Sequence, residues 1–250
     1  MFDVAADAYD RFMGRYSAPL APLFADFAGI EIGQRALDVG CGPGALTTEL
    51  VGRIGSNAVA AVDPSEPFVA AARARHPGVD VRLGAAESLT FADDEFDASL
   101  AQLVVHFMGD PVAGLHEMAR VTRRGGTVAA CVWNVSESAS PLGLFWDAVR
   151  AQDAGAPGES HLAGTGSGEL LRLFSDAGIG EPKETTLAVS VEHPSFDEWW
   201  APFELGVGPA GAYVTKLDAD RRVGLRRLAR ERFPMDGVLT ARAWTVRGRP

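Results

Sequence analysis

From residue 35 to residue 134 the chain alternates between two kinds of apolar pattern. Segments 35–39, 58–62, 79–83, 96–103 and 126–133 are short, nearly continuous apolar runs. Segments 45–54, 67–75 and 111–121 instead space their apolar residues three or four positions apart. The first kind predicts strands buried on both faces, and the second predicts amphipathic helices. Unbroken apolar strands alternating with helices predict a parallel sheet covered on both sides, with right-handed crossovers. Residues 1–30 read as helical, with Phe12, Tyr16, Leu20, Leu23, Phe24 and Phe27 on one periodicity. Pro19 and Pro22 are expected to divide that helix into pieces.

Beyond Trp133 the pattern loosens. Segment 134–140 is polar and loop-like, 142–152 is a helix, and 154–168 is a Gly-, Pro- and Ser-rich loop expected to be mobile. A short helix over 169–177 closes at Gly178. Segment 183–192 alternates apolar and polar residues and predicts a strand with one drier face. An aromatic helix at 196–203, an arginine-rich helix at 219–233 and a last strand at 237–246 follow. The end of the chain therefore reads strand, helical insert, strand, and two such strands can pair antiparallel. No internal repeat is evident.

Composition narrows the function. The 250 residues are 47% hydrophobic and 22% charged, which is ordinary for a folded domain. The formal charge of −10 disfavours non-specific nucleic-acid binding, which depends on basic residues neutralising phosphates. Two cysteines exclude a disulfide scaffold and a four-cysteine zinc site. His76, His116, His161 and His193 have no ligand spacing, so no metal is expected. No apolar run approaches the roughly 20 residues that span a bilayer. The acidic stretch 1–10 is unlike a signal peptide, so no membrane partner and a cytoplasmic location are expected. The whole of 1–250 is read as a single domain, a monomer or homodimer.

The strongest chemical feature is the glycine loop Gly40-Cys41-Gly42-Pro43-Gly44, set between the first strand and the next helix. Glycines let a ligand approach the main chain, and the helix start offers free N–H groups. Together they make a nucleotide-type cradle. Gly40-x-Gly42-x-x-Ala45 also satisfies a loose dinucleotide fingerprint, with Asp63 about 20 residues on, where a ribose-binding acid belongs. Asp38 bears on the choice of nucleotide. A carboxylate beside the loop repels a pyrophosphate and suits a ligand that carries an ammonium or sulfonium.

Ala36-Leu37-Asp38-Val39-Gly40-Cys41-Gly42-Pro43-Gly44, Val62-Asp63-Pro64-Ser65, Gly84-Ala85-Ala86-Glu87 with Phe91, Phe96-Asp97 and Arg124-Gly125-Gly126 together resemble the class I S-adenosylmethionine (SAM)-dependent methyltransferases. The resemblance covers residues 5–134 well and 180–250 in outline. It implies a Rossmann-like, doubly wound α/β fold. The sheet would have seven strands, mostly parallel with an antiparallel last strand, helices on both faces and a small helical cap. It implies SAM as cofactor and S-adenosylhomocysteine as product, with the cofactor across the carboxyl ends of strands one, two and four. Asp38, Gly40, Gly42 and Gly44 would hold the methionine portion, and Asp63 with Pro64 the ribose. Ala86 and Glu87 would flank the adenine, and Gln102 would be a further cofactor-binding residue. The run 9–16 is similar to the lid of small-molecule members. There Tyr9 and Arg15 would close over the cofactor, Arg15 pairing with the methionine carboxylate. On this basis residues 1–30 are a lid, 31–134 the SAM-binding core and 194–236 a helical cap.

Methyl transfer needs alignment and exclusion of water, with no metal or covalent nucleophile. His106, just past strand four, is the candidate base, because its ordinary pKa lies near working pH. Trp133 and Asn134 at the end of strand five, and Trp199 and Trp200 in the insert, are expected to meet a small, partly apolar acceptor. Segment 219–233 carries Arg221, Arg222, Arg226, Arg227, Arg230 and Arg232, read chiefly as a solvated face. Two rival functions use the same loop. One is an NAD(P)-dependent oxidoreductase, disfavoured by Asp38 and by the lack of a Tyr-x-x-x-Lys pair. The other is a non-catalytic SAM-binding regulator.

Overall fold

The computed structural model describes residues 10–156, 158–206 and 208–250. Seven strands form one sheet in the order β3-β2-β1-β4-β5-β7-β6. They are β1 (Ala36–Val39), β2 (Val59–Asp63), β3 (Asp80–Leu83), β4 (Phe96–Gln102), β5 (Thr122–Trp133), β6 (Gly180–Glu192) and β7 (Val238–Arg249). Pairings from β3 through β5 are parallel, while β7 runs antiparallel to both β5 and β6. The strand order reverses between β1 and β4. The connections leave those two strands in opposite directions, which opens a crevice at their carboxyl ends.

The helices are α1 (Arg15–Ala28), α2 (Ala45–Ile54), α3 (Glu66–Arg75), α4 (Pro111–Val121), α5 (Gly143–Gln152), α6 (Glu169–Asp176), α7 (Phe196–Glu204), α8 (Gly208–Lys216) and α9 (Ala219–Arg232). Alternate residues of each central strand enter opposite cores. Ala36, Leu100 and Ala129 join Leu20, Leu46 and Val69 of α1, α2 and α3 on one face. Leu37, Ala101 and Ala130 join Leu115 and Phe174 of α4 and α6 on the other. A third apolar cluster draws Phe145, Trp200, Phe203, Val214 and Leu225 from α5, α7, α8 and α9. No helix among the described residues is long and apolar enough to cross a membrane.

Local expectations and structure differ in four places. Pro19 and Pro22 do not divide α1, which runs unbroken. Pro19 is exposed and Pro22 only half-buried, while Tyr16, Leu20 and Phe24 are buried on the opposite side. That burial holds the helix together despite two missing N–H donors. The stretch Arg124-Gly125-Gly126 lies inside β5 rather than before it, in an irregularity of the register between Phe96 and Ala98. Helix α8 has no counterpart in the sequence reading, since glycine and proline at its start mask its periodicity. Packing decides it: Tyr213 meets Phe145 and Trp146 edge-on. Finally, α5 joins the helical insert in the third cluster, although it precedes β6 in the chain.

The insert itself fills a hairpin. Strands β6 and β7 pair from Lys183↔Arg247 to Glu192↔Val238, and His193 N donates to Gly237 O at 2.9 Å just beyond. Helices α7 to α9 are thus the long connection of a β-hairpin, carried at the carboxyl edge of β5 and β6.

Candidate active site

The crevice beyond β1 and β4 holds a cavity of about 520 Å³. Its size is that of a pocket for a nucleotide-sized molecule. The glycine loop forms one wall. Gly40 N and Cys41 N both donate to Val62 O, at 2.7 and 3.0 Å, which ties the loop to β2. Gly40 has φ 70°, and a Cβ there would fall 2.4 Å from a methyl of Val104. Only glycine satisfies both the angle and the space. Gly40 and Gly42 line the cavity, whereas Gly44 does not. Gly44 turns toward His76, whose Nε2 would lie 2.9 Å from an added Cβ.

Three carboxylates line the cavity, two of them at strand ends. Asp38, at the end of β1, is buried and accepts from Thr47 Oγ1 at 2.6 Å. Burial pushes its pKa up to about 7; the Thr47 hydrogen bond opposes this and the nearby Asp63 adds to it. Asp63, at the end of β2, accepts from Gly42 N and Ser65 N, each at 2.8 Å. Its pKa is also raised by burial, against those two N–H groups. A carboxylate has about four lone-pair sites, so Asp63 retains acceptor capacity toward the cavity. Pro64, Ala86, Glu87 and Gln102 lie on the same wall. Glu87 Oε1 also accepts from Gly109 N at 2.7 Å and Asp110 N at 3.2 Å, which fixes the turn before α4.

Ser17 on α1 also lines this cavity, and the sequence reading does not single it out. It is only 5% exposed, and its Oγ has no hydrogen-bond partner among the described residues. The same is true of Gln102 Oε1, while Gln102 Nε2 donates to Ser17 O at 3.0 Å. Buried polar atoms are normally paired, so two orphans on one cavity wall mark places where a ligand bonds. A hint was available in the lid-like run ending at Tyr16, because the helical repeat carries the next residue toward the sheet edge. Phe68, Phe107 and Met108 are further wall residues outside the sequence reading.

A second, smaller cavity of about 70 Å³ adjoins the first, and Leu103 and Phe107 line both. Leu103 has φ 63°, a left-handed conformation that is rare and strained for a branched residue. His106 opens into this second cavity and does not line the first. It sits in the short turn Val105–Phe107, its ring 3.9 Å from that of Phe107. Its Nδ1 is buried without a partner among the described residues, and burial lowers its pKa to about 3. Trp133 lines the same cavity.

Of the expected site residues, Arg15, Asn134, Trp199 and Trp200 line neither cavity. Tyr9 lies outside the described residues. Arg15 does not line the main cavity; it reaches Glu198 Oε1 and Glu192 O, each at 2.9 Å, and lies 3.4 Å from His193 Nδ1. It pins the first helix to the start of the insert, because a nearby carboxylate outcompetes a more distant site for the guanidinium. The Arg15→Ala protein is therefore expected to keep its affinity for SAM within about threefold, as calorimetry would read, because an exposed ion pair contributes little. Asn134 is buried in a turn, where Nδ2 donates to Glu137 Oε2 at 2.7 Å and Oδ1 accepts from Glu137 N at 3.1 Å. Trp199 and Trp200 line neither cavity and pack in the third apolar cluster. There Trp200 stacks on Phe196 at 5.8 Å and donates from Nε1 to Glu204 Oε1 at 2.8 Å. The arginines of α9 are partly paired: Arg226 and Arg230 share Asp197, and Arg227 bonds Glu231.

Comparison with known proteins agrees with this geometry. Residues 37–130 match a family model described as a methyltransferase domain. An uncharacterized methyltransferase of Mycobacterium tuberculosis is 38% identical over 136 residues, covering 54% of this chain and 53% of that protein. A ubiquinone/menaquinone biosynthesis C-methyltransferase of Bdellovibrio bacteriovorus is 32% identical over 136 residues, covering 51% of this chain and 58% of that protein. The chain spans about half the length of these curated relatives. The solved structure of the YcgJ protein from Bacillus subtilis aligns with a TM-score of 0.59 at 19% identity, covering 92% of this chain and 97% of that one. That likeness is one of fold. Residues 37–130 therefore carry a methyltransferase domain, set in a sheet whose fold is shared with that solved structure.

Proposed function

We propose that the protein transfers a methyl group from SAM to a small organic molecule held in the second cavity. The observation that carries this reading is the junction of the two cavities at Leu103 and Phe107. One is wide and lined by three carboxylates, Asp38, Asp63 and Glu87. The other is small and mostly apolar.

The main cavity fits SAM on its own chemistry. Buried Asp38 and the orphaned Gln102 Oε1 are acceptors for an ammonium group. The Ser17 hydroxyl and the start of α2, where Ala45 and Leu46 meet the cavity, are donors for a carboxylate. Asp63 accepts from ribose hydroxyls, and Ala86 and Glu87 border the adenine. Bound there, SAM supplies a methyl group on a positively charged sulfur.

The chain's own work is alignment and exclusion of water. Leu103, held in its strained conformation, and Phe107 shape the passage between donor and acceptor. His106 stands on the acceptor side. Its depressed pKa keeps the imidazole neutral at physiological pH, so it accepts a hydrogen bond there and is a weak proton sink while the cavity is empty. In this reading 31–134 holds the cofactor, and 1–30 and 194–236 close over the acceptor. Phe12 and Met13 from one side and Gly208 and Pro209 from the other line the second cavity.

Calorimetric titration with SAM, S-adenosylhomocysteine and NAD tests the reading. The first two are expected to bind at micromolar affinity and NAD not at all. Asp63→Ala is expected to weaken both by about tenfold or more, through lost ribose contacts and a loosened glycine loop. Binding of NAD alone would replace this reading with a dehydrogenase.

A further inference from the structure

We propose that the second cavity takes an uncharged, largely apolar molecule by a hydroxyl group, a phenol or enol in chemical class, and rejects anions. This deepens the function proposed above and rests on it.

The walls set the apolar part. Phe12, Met13, Trp133, Leu142 and Leu162 surround the space, with Leu103 at the passage to the main cavity. The polar exceptions are few. The Thr165 hydroxyl already donates to Leu162 O at 2.8 Å. Ser140 is 8% exposed, and its Oγ has no hydrogen-bond partner among the described residues. His106 Nδ1 is in the same condition. Two unpartnered polar groups on a mainly apolar wall favour an occupant with a matching polar group. A hydroxyl offers both roles, donating a proton and accepting one.

Charge removes the alternatives. No lysine or arginine is among the described residues that line this cavity. Its carboxyl group, Glu159, is pushed up by burial, and His106 is held neutral. A carboxylate or phosphate entering here would lose its water and meet no cation. An ammonium has donors for Glu159, Ser140 and His106, but with SAM bound it would sit beside the sulfonium of the neighbouring site, where like charges repel.

The test is ligand-observed NMR on the full chain with S-adenosylhomocysteine present. The probes are two matched ring pairs: phenol with benzoate, and 2-naphthol with 2-naphthoate. At least one hydroxyl probe is expected to bind about tenfold or more tighter than its acid, as in sites built around a substrate hydroxyl. That preference is expected to shrink to about threefold or less in Ser140→Ala and in His106→Leu, while both variants still bind S-adenosylhomocysteine. Equal or tighter binding of the acids would overturn the inference. So would a preference untouched by both substitutions, or no hydroxyl probe bound up to about 5 mM while S-adenosylhomocysteine binds. Failure of S-adenosylhomocysteine itself to bind would appear before any probe is added, and would remove the cofactor reading and this inference together.

Discussion

Replacing Asp38 with asparagine is expected to lower the affinity for SAM by about two orders of magnitude, while the protein itself becomes more heat-stable. The first effect follows from charge. Asp38 is fully enclosed and lines the main cavity, and removing one member of a buried ion pair weakens binding by about 2–5 kcal/mol. The second follows from linkage. Burial raises the folded-state pKa of Asp38 from 3.8 to about 7. The folded protein therefore binds a proton at Asp38 that the unfolded chain has released between those values. Its contribution to stability is full below pH 4 and is lost as pH rises through 7. Asparagine keeps an acceptor for the Thr47 hydroxyl without the charge, so the unliganded Asp38→Asn protein should melt about 5 °C higher at pH 8. The same linkage predicts that wild-type affinity for the cationic cofactor rises with pH until about 7 and then levels off, whereas Asp38→Asn shows no such rise. Scanning calorimetry and titrations at pH 6, 7 and 8 read both effects. Unchanged affinity in the variant would assign the cofactor's positive end to another residue.

Trp200→Ala is expected to produce the largest loss of stability in the chain and little change in cofactor binding. The indole is fully buried and meets four rings of the third cluster: Phe196 at 5.8 Å, Phe203 at 5.6 Å, Phe145 at 6.2 Å and Trp199 at 6.2 Å. Truncating a buried tryptophan costs about 3–5 kcal/mol through lost burial and the cavity left behind. For a chain of this length that lowers Tm by about 10 °C. None of these contacts reaches the main cavity, so S-adenosylhomocysteine should bind within about threefold of wild type at a temperature where the variant is folded. A variant that kept its Tm but lost affinity for a hydroxyl probe would place Trp200 against the acceptor, as the sequence suggests, rather than in the core of the insert.

The two cases show what kind of inference each level supports. Asp38 and the glycine loop are legible because their positions follow from local rules. A buried apolar run must be a strand, three alternating glycines must end it in a tight turn, and a residue two places before the first glycine must sit at the strand's carboxyl edge. The tryptophans are not legible in this way. A helix that carries Phe196, Trp199, Trp200 and Phe203 has an apolar face, but its sequence does not say whether that face meets a ligand or another helix. Helix α5, some fifty residues earlier in the chain, supplies the surface that covers it.

The same distinction runs through the rest of the molecule. Local sequence is enough for the five-strand alternation of 35–134, the loop at 40–44, the acids at the carboxyl ends of β1 and β2, and a helical insert between two late strands. All of these depend on periodicity, backbone angles and residue order. Tertiary structure alone decided the partners of long and rotatable side chains. Arg15 turned to Glu198 and His193 rather than toward the cavity, Ser17 and Gln102 came together across 85 positions with unpaired oxygens, and His106 opened into the second cavity with Ser140. Those outcomes depend on which surfaces meet when the helices close over the sheet. Contacts between residues far apart in sequence carry no local pattern, and only burial decides which polar atoms are left for a ligand.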